Sequence, residues 1–255
     1  MSSTVEPAAS GTVRIWHLFH SGFAVRTGGH MLLFDYCPDG SGAALDAESL
    51  ILSEPTRAIA VFASHEHSDH FSPVIFDWQK RSGNIRYVLS HDIERWKERS
   101  DVLMVRPDCR YTLHGMTVET LESTDVGVAF LVRCDGVTLF HAGDLNWWHW
   151  EGEPDDENRE MGARYRRQID RLAGVRIDLA FIPVDPRLEE AYLLGLDYFM
   201  RTVGARMVFP MHFGGDYSVL ARMRSDRRAR DYLDEIAQIG PSRRDFTYHA
   251  AGERD

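Results

Sequence analysis

The sequence predicts an α/β (α+β) fold with two packed sheets at its centre and helices covering them. Three observations carry this. Short apolar strand patterns crowd the first ninety residues and return between 111 and 144. Helical patterns follow groups of strands rather than alternating with single strands, which disfavours a strictly parallel sheet. The 255 residues, 44% of them hydrophobic, suit one generous domain with a substantial core.

The elements follow in order. "TVRIWHLF" (12–19), "FAVRT" (23–27) and "HMLLFDY" (30–36) are separated by glycine-containing turns and read as an antiparallel meander. "AIAVFAS" (58–64) reads as a buried strand. "SPVIFDWQKR" (72–81) reads as a helix, with Ser72 as N-cap and Pro73 at the first helical position. "IRYVLS" (85–90) is a strand and "DIERWKER" (92–99) a helix. "YTLHGMTVETLE" (111–122) reads as a hairpin, and 126–144 as two apolar runs joined by the turn Asp135-Gly136. A loop and amphipathic helix cover 151–173. A strand (177–184), a helix (188–203), a strand (206–213), a helix (216–237) and a strand (244–249) close the chain. Residues 1–11 read as a disordered lead and 12–250 as a single domain.

Composition narrows the partners. The net charge of −10 disfavours a nucleic-acid or membrane-surface binder, since both depend on a positive field. One segment departs from this: "ARMRSDRRAR" (221–230) carries five arginines, either as a solvated helix face or as a patch that attracts anions. No apolar run approaches the roughly 20 residues that span a bilayer. The first residues show neither the basic nor the apolar region of a secretory signal. Cys37, Cys109 and Cys134 are odd in number and form no CxxC pair, so the expected setting is reducing and cytoplasmic.

The chemistry concentrates in "SHEHSDHF" (64–71). On a helix, His65, His67, Asp69 and His70 would not face one point; in a tight loop at a strand end they can. Imidazole with carboxylate suits Zn²⁺, Fe or Mn²⁺. His65 and His67 can serve one ion, Asp69 and His70 a second.

His65-x-His67-x-Asp69-His70 resembles the HxHxDH signature of the metallo-β-lactamase superfamily. Asp35 in "LLFDY", Asp144 in "FHAGDLN" (140–146) and His212 in "FPMHFG" (209–214) resemble three further motifs, in the expected order. The resemblance implies a four-layer αβ/βα sandwich with its site at the sheet edges. It also implies two divalent ions, zinc first and Mn or Fe as alternatives, with Asp144 bridging them and His212 on the second. The fifth motif usually supplies a third histidine to the first ion. Here that stretch is "ESTDVGVAF" (122–130), which has none, and Thr124 or Asp125 stands in its place. Either Asp125 ligates, or His65, His67 and Asp144 hold the first ion alone, or another histidine reaches in. Asp125 could equally be a turn carboxylate capping backbone amides.

The resemblance further implies hydrolysis: two ions lower the pKa of water from about 15.7 to about 7, with Asp69 orienting the nucleophile and Asp144 setting the metal spacing. Asp35 is expected to accept a hydrogen bond from an imidazole N–H. His20, in "FHSGFAV", resembles a His-x-Gly-Phe stretch that related hydrolases carry near the site, and is a candidate support or substrate contact. His149 would border the pocket. Trp147, Trp148 and Trp150 either form an aromatic wall or pack the 151–173 segment; exposed, they would offer a homo-oligomer contact. Asp185 and Arg187 either reach the pocket, where Arg187 could pair with phosphate or carboxylate, or simply shape a turn. His141 is expected to point away from Asp144, and His17, His30, His91, His114 and His249 to be ordinary surface or core residues.

"HAGD" and "PMHFG" look most like the branch of ascorbate-6-phosphate lactonase and the phospholipase D that cleaves N-acyl-phosphatidylethanolamine. The expected substrate is therefore a small molecule, ester-like and anionic, such as a phosphorylated lactone. The alternatives are an RNase or phosphodiesterase of the same fold, and a non-catalytic metal-binding scaffold. No long insert separates Asp144 from His212, which disfavours the β-CASP nuclease branch, and no flavodoxin-like segment follows, which disfavours the diiron oxidoreductases that carry one.

Overall fold

The computed structural model describes residues 11–38, 47–53 and 57–250. Thr12–Phe19 (β1), Gly22–Arg26 (β2) and His30–Phe34 (β3) form the expected antiparallel meander. Ala58–Ala63 (β4), Ile85–Ser90 (β5) and Val102–Val105 (β6) extend it in parallel. Parallel neighbours require crossovers; helix α1 (Ala47–Leu52) lies in the first and a 3-10 helix, Pro73–Lys80, in the second. A second sheet contains Arg110–Leu113 (β7), Met116–Glu122 (β8), Val128–Cys134 (β9), Val137–His141 (β10), Leu179–Pro183 (β11) and Met207–Met211 (β12), in the order β12-β11-β10-β9-β8-β7. Here β10, β11 and β12 are parallel and the remaining pairs antiparallel. The last strand, Asp245–His249 (β13), returns to pair with β1 in the first sheet.

Strand periodicity sorts side chains into layers. In β4, Ala60 and Phe62 face the second sheet, while Ile59, Val61 and Ala63 face the opposite side. Both faces are covered, which is why "AIAVFA" is apolar throughout rather than alternating. Between the sheets, Phe34 stacks on Phe62 (centroids 4.6 Å apart), Phe62 meets Phe130 edge-on at 5.2 Å, and Phe23 packs on Phe181 at 4.6 Å. Outside the first sheet lie Ile51 of α1 and Ile75, Phe76 and Trp78 of the 3-10 helix. On the second sheet lie α2 (Asp155–Asp170), α3 (Leu194–Thr202) and α4 (Ser218–Ser225), with Phe140 stacked on Phe199 of α3 at 5.6 Å. The result is four layers, as expected.

Turn chemistry joins the sheets at one end. Asp135 (φ 49°) and Gly136 (φ 73°) form a two-residue hairpin turn in which both residues are left-handed, and His114 (φ 50°) with Gly115 (φ 80°) does the same between β7 and β8. The Asp135 carboxylate accepts from Thr27 Oγ1 (2.6 Å), the Gly29 amide (2.6 Å) and His30 Nδ1 (2.9 Å), while His30 Nε2 lies 2.9 Å from the His114 carbonyl. His30 is therefore a structural tie with both nitrogens engaged, and the nearby Cys134 and Asp135 do not make it a metal site.

The helices are shorter than their sequence patterns suggest. The segment 72–81 is a 3-10 helix, 92–99 contains only the turn Glu94–Trp96, and 188–203 breaks where Glu189 takes φ 48° and ψ −117°. Asp226 divides 216–237: its carboxylate accepts the Arg228 amide at 2.9 Å, ending α4 and starting a 3-10 helix, Arg227–Glu235. In the arginine-rich segment, Arg222 pairs with Glu190 and covers Tyr192, and Arg228 pairs with Asp226, so part of that charge is already neutralised. Residues 1–10 of the expected lead lie outside the described residues. No helix among the described residues is long and apolar enough to cross a membrane.

Asp135→Asn keeps a residue that tolerates left-handed backbone but removes the charge that three donors share. The expected loss is roughly 1–3 kcal/mol of stability by urea denaturation, with metal content unchanged.

Candidate metal centre

The parallel strands place their carboxyl ends together, and the chemistry-bearing residues follow those ends. Asp35 follows β3, Ser64 to His70 follow β4, Asp144 follows β10, Asp185 follows β11 and His212 follows β12. The β1–β2 turn adds His20, and the β8–β9 loop adds Thr124 and Asp125. Non-glycine residues in left-handed backbone are uncommon, yet His20 (φ 52°), Asp35 (φ 45°) and His212 (φ 65°) all adopt it here. Such strain concentrates at functional sites.

Asp35 is fully buried and organises the β4 loop. Its Oδ1 accepts the Ser64 amide (2.8 Å); its Oδ2 accepts the Ser64 hydroxyl (2.6 Å) and His70 Nδ1–H (2.7 Å). Because the Ser64 hydroxyl donates to Asp35, its oxygen is left to accept His65 Nδ1–H at 3.0 Å. When neutral, His65 and His70 therefore both carry their hydrogen on Nδ1 and present the Nε2 lone pair inward. His212 is set the same way by Asp185, whose Oδ2 accepts His212 Nδ1–H at 2.9 Å and whose carboxylate also receives Arg187. This carboxylate–imidazole pairing is the usual support of a metal-ligating histidine.

The inward atoms converge on Asp144. Its Oδ1 lies 3.1 Å from His70 Nε2 and 3.3 Å from His212 Nε2; its Oδ2 lies 3.5 Å from His65 Nε2. His67 Nδ1 stands 3.0 Å from His65 Nε2 and 3.7 Å from Asp125 Oδ2. Two groups result, each with ligand atoms within 4.8 Å of one another: His65, His67, Asp125 and Asp144, and His20, Asp69, His70 and His212. His70 Nε2 and Asp144 Oδ1 are buried with no hydrogen-bond partner among the described residues. A buried polar atom without a partner is costly, and a cation between these atoms would satisfy both. The residues thus fit divalent metals, and imidazole with carboxylate suits Zn, Mn or Fe.

Charge balance in the metal-free site points the same way. Burial by itself would raise the Asp144 pKa, but His70 and His212 hold it well below the carboxylate range. Burial pulls His70 and His212 down, yet Asp144 and the supporting carboxylates lift His70 well above its ordinary value and His212 to about 9. Asp185, which burial would raise, is held at about 2 by its bonds to His212 and Arg187.

The loop without a histidine is pinned in place. Thr124 Oγ1 donates to the Asn146 carbonyl (2.6 Å) and accepts the Asn146 amide (2.9 Å), so it joins the loop to the Gly-Asp segment. The Asp125 amide is capped by Ser123 Oγ at 3.2 Å, and the Asp125 carboxylate turns toward His67. Two glycines allow the approach. A Cβ on Gly127 (φ 79°) would sit 2.0 Å from the Ser64 carbonyl oxygen, and one on Gly143 (φ 52°) 2.6 Å from Ser64 Cβ.

A cavity of about 310 Å³ opens over this site, lined on its far side by Trp148, Trp150, Met161 and Arg187. The indoles of Trp148 and Trp150 are parallel within 4°, centroids 6.1 Å apart, and Arg187 lies over Trp150 at 5.6 Å. Neither Trp147 nor His149 is among the described residues lining it. Trp147 instead packs on α2 against Tyr165, with Arg166 over its ring at 4.6 Å. Trp148 is buried and the other two indoles are partly so, because α2 and the cavity wall absorb them. His141 donates Nε2–H to the Ser21 carbonyl (2.9 Å) and accepts the Gly143 amide (3.2 Å), a purely structural position. Sequence reasoning missed Ser64 and Met161. Ser64 directly precedes the histidine cluster, and a hydroxyl next to it was the available signal.

No protein-family model and no curated protein matches this sequence. Solved structures do. Igni18, a metallo hydrolase from the archaeon Ignicoccus hospitalis, superposes with a TM-score of 0.66 over 93% of this chain and 99% of its own, at 15% identity. The metallo-β-lactamase fold protein YhfI from Bacillus subtilis gives 0.60 over 93% and 100%, at 16% identity. The chain has the metallo-β-lactamase fold. CmlA, a diiron β-hydroxylase from Streptomyces venezuelae, shares it too, with a TM-score of 0.61 over 97% of this chain and 55% of its own, at 14% identity. One metallo-β-lactamase fold thus serves different chemistries, and function must be argued from the site.

Two outcomes are expected. In the metal-free protein the raised His212 pKa contributes stability that is complete below its ordinary 6.5 and lost as pH rises through about 9; metal binding needs the neutral ring and strengthens over the same range. The gain in Tm from a fixed free Zn²⁺ concentration should therefore be larger at pH 9 than at pH 6.5, and a gain that shrinks with pH would contradict this arrangement. Gly127→Ala should lower metal content measured by elemental analysis, because the new Cβ displaces Ser64.

Proposed function

We propose that the protein is a metal-dependent hydrolase of a small, anionic, ester-like substrate, with two divalent ions at one centre. His65, His67, Asp125 and Asp144 would hold one ion; Asp69, His70, His212 and Asp144 the other. The carrying observation is the Asp144 carboxylate, whose two oxygens face two separate groups of convergent donors. Metals bound there supply a Lewis acid and a water that ionises near neutral pH.

The chain's own residues do the rest. Asp35, directly and through Ser64, and Asp185 keep three imidazoles in the tautomer that leaves Nε2 free. Asp69, half exposed at the cavity, would orient the nucleophile. Arg187 faces the same cavity with its guanidinium largely exposed, ready to bind a phosphate or carboxylate of the substrate, and Trp148, Trp150 and Met161 offer an apolar wall. A cavity of about 310 Å³ suits a small molecule rather than a polymer. The likeness of "HAGD" and "PMHFG" to the ascorbate-6-phosphate lactonase branch supports a phosphorylated lactone. Zinc is the metal we favour, in a reducing, cytoplasmic setting.

Elemental analysis of protein purified without chelators should find two ions per chain, falling toward one in Asp125→Ala. A panel of phosphorylated lactones and bis(p-nitrophenyl) phosphate should then include a substrate; two bound ions with no turnover of any member would favour a non-catalytic scaffold. On that substrate Arg187→Ala should raise KM about ten- to a hundredfold with little change in kcat, the signature of a lost binding contact.

A further inference from the structure

We infer that His20 is not a metal ligand but a catalytic hydrogen-bond donor, its Nε2–H aimed at an oxygen of the substrate. This rests on the hydrolytic reading of the site, but the geometry behind it does not.

The argument is one of tautomers. His20 belongs by distance to the second group of possible ligands. Its Nδ1, however, receives the Gly214 amide at 3.1 Å. An amide can only donate, so Nδ1 must be the unprotonated nitrogen and the ring's hydrogen sits on Nε2. A nitrogen that carries a hydrogen has no lone pair for a metal. His65, His70 and His212 are set the opposite way, with Nδ1–H engaged and Nε2 open. Of the five imidazoles at the centre, His65, His70 and His212 are thus arranged to accept a cation and His20 to offer a hydrogen.

His20 is held rigidly for this. Its carbonyl accepts the His212 amide at 3.3 Å, its ring packs 4.2 Å from that of His212, and its backbone is fixed in the left-handed region. The residue is only 9% exposed. Nε2 nonetheless has no hydrogen-bond partner among the described residues; the nearest carboxylate oxygen, Asp69 Oδ2, is 3.4 Å away. A buried donor without an acceptor is unfavourable until one arrives. A substrate oxygen beside Asp69 would complete it, and a donor fixed in advance costs no reorganisation as negative charge develops on that oxygen. No proton changes hands; the ring stays neutral and donates.

The test uses three forms of the Zn²⁺-loaded protein. His20→Asn tolerates the left-handed backbone and can still accept the Gly214 amide, but its amide is too short to replace Nε2. His20→Gln carries an N–H out to about that position. The first readout needs no turnover: a long-range ¹H–¹⁵N correlation spectrum should show His20 protonated on Nε2 and His70 and His212 on Nδ1. The second is zinc content, expected to be the same in all three forms. The third is the affinity for inorganic phosphate by calorimetry, expected to fall about tenfold in His20→Asn and to stay within about threefold in His20→Gln. On a hydrolysed substrate, kcat should fall about a hundredfold or more in His20→Asn and recover substantially in His20→Gln. A His20 protonated on Nδ1, a loss of zinc in His20→Asn, or unchanged phosphate affinity in that variant would each overturn the assignment. Absence of hydrolysis by the unaltered protein would count against the hydrolase reading alone, since the first three readouts do not depend on it.

Discussion

Asp35 holds a carboxylate where no water reaches it, and the site is arranged around satisfying that charge. A buried carboxylate is tolerated only when it is paired or well hydrogen-bonded. Asp35 receives a backbone amide, a hydroxyl and an imidazole, all from the segment that follows β4. Those bonds tie the end of β3 to the end of β4 and leave the Ser64 oxygen available to His65. One carboxylate thus orients two imidazoles, one directly and one through a hydroxyl. The left-handed backbone at Asp35 is part of the same arrangement, because the strand must turn sharply to bring the side chain beneath the loop.

The same region must also let two sheets meet closely. Ser64 lies under Gly127 from the β8–β9 loop and Gly143 from the end of β10, with no room for a side chain at either position. The Ser64 carbonyl accepts the Val128 amide at 3.0 Å, which fastens the second sheet to the histidine loop. The Asp125 and Asp144 carboxylates can therefore face His67, His65 and His70 only because two positions lack a Cβ. Packing between the sheets and the geometry of the candidate centre are consequently one problem, solved by the same contacts.

What was legible in the sequence depended on how local its cause is. The Asp135-Gly136 turn is a property of two residues, and it was read correctly. The strands β3 and β4 were evident because burial on both faces leaves continuous apolar runs. The gathering of His65, His67, Asp69 and His70 follows from their spacing. By contrast, β6 is four residues at a sheet edge and exists through its pairing with β5, which its own short pattern does not announce. The helices were read too long because Asp226 offers the backbone a competing partner and Glu189 leaves helical geometry, and neither event interrupts the apolar pattern. Trp147 and Trp148 are adjacent, yet one packs on α2 and the other faces the cavity; only tertiary packing separates them. The tautomers were beyond reach altogether, since they depend on Ser64, Asp185 and the Gly214 amide as neighbours in space.

On the proposed two-ion reading, a ligand role for Asp125 where the resemblance would put a histidine bears on substrate choice through charge. Three carboxylates, Asp69, Asp125 and Asp144, line the cavity with His67 and His212. Against the two proposed dications they would leave a smaller positive excess than two carboxylates and another imidazole would. A substrate of the proposed anionic class would then draw less of its attraction from the centre itself and more from the rim. Arg187 is the cation lining the cavity among the described residues, directed by Asp185, the residue that also orients His212. Asp185 would thereby couple the proposed substrate binding to the metal-facing imidazole, since it bonds both Arg187 and His212. A centre that surrenders an imidazole for a carboxylate would need such a cation close by, and this fold places Arg187 four residues beyond the end of β11.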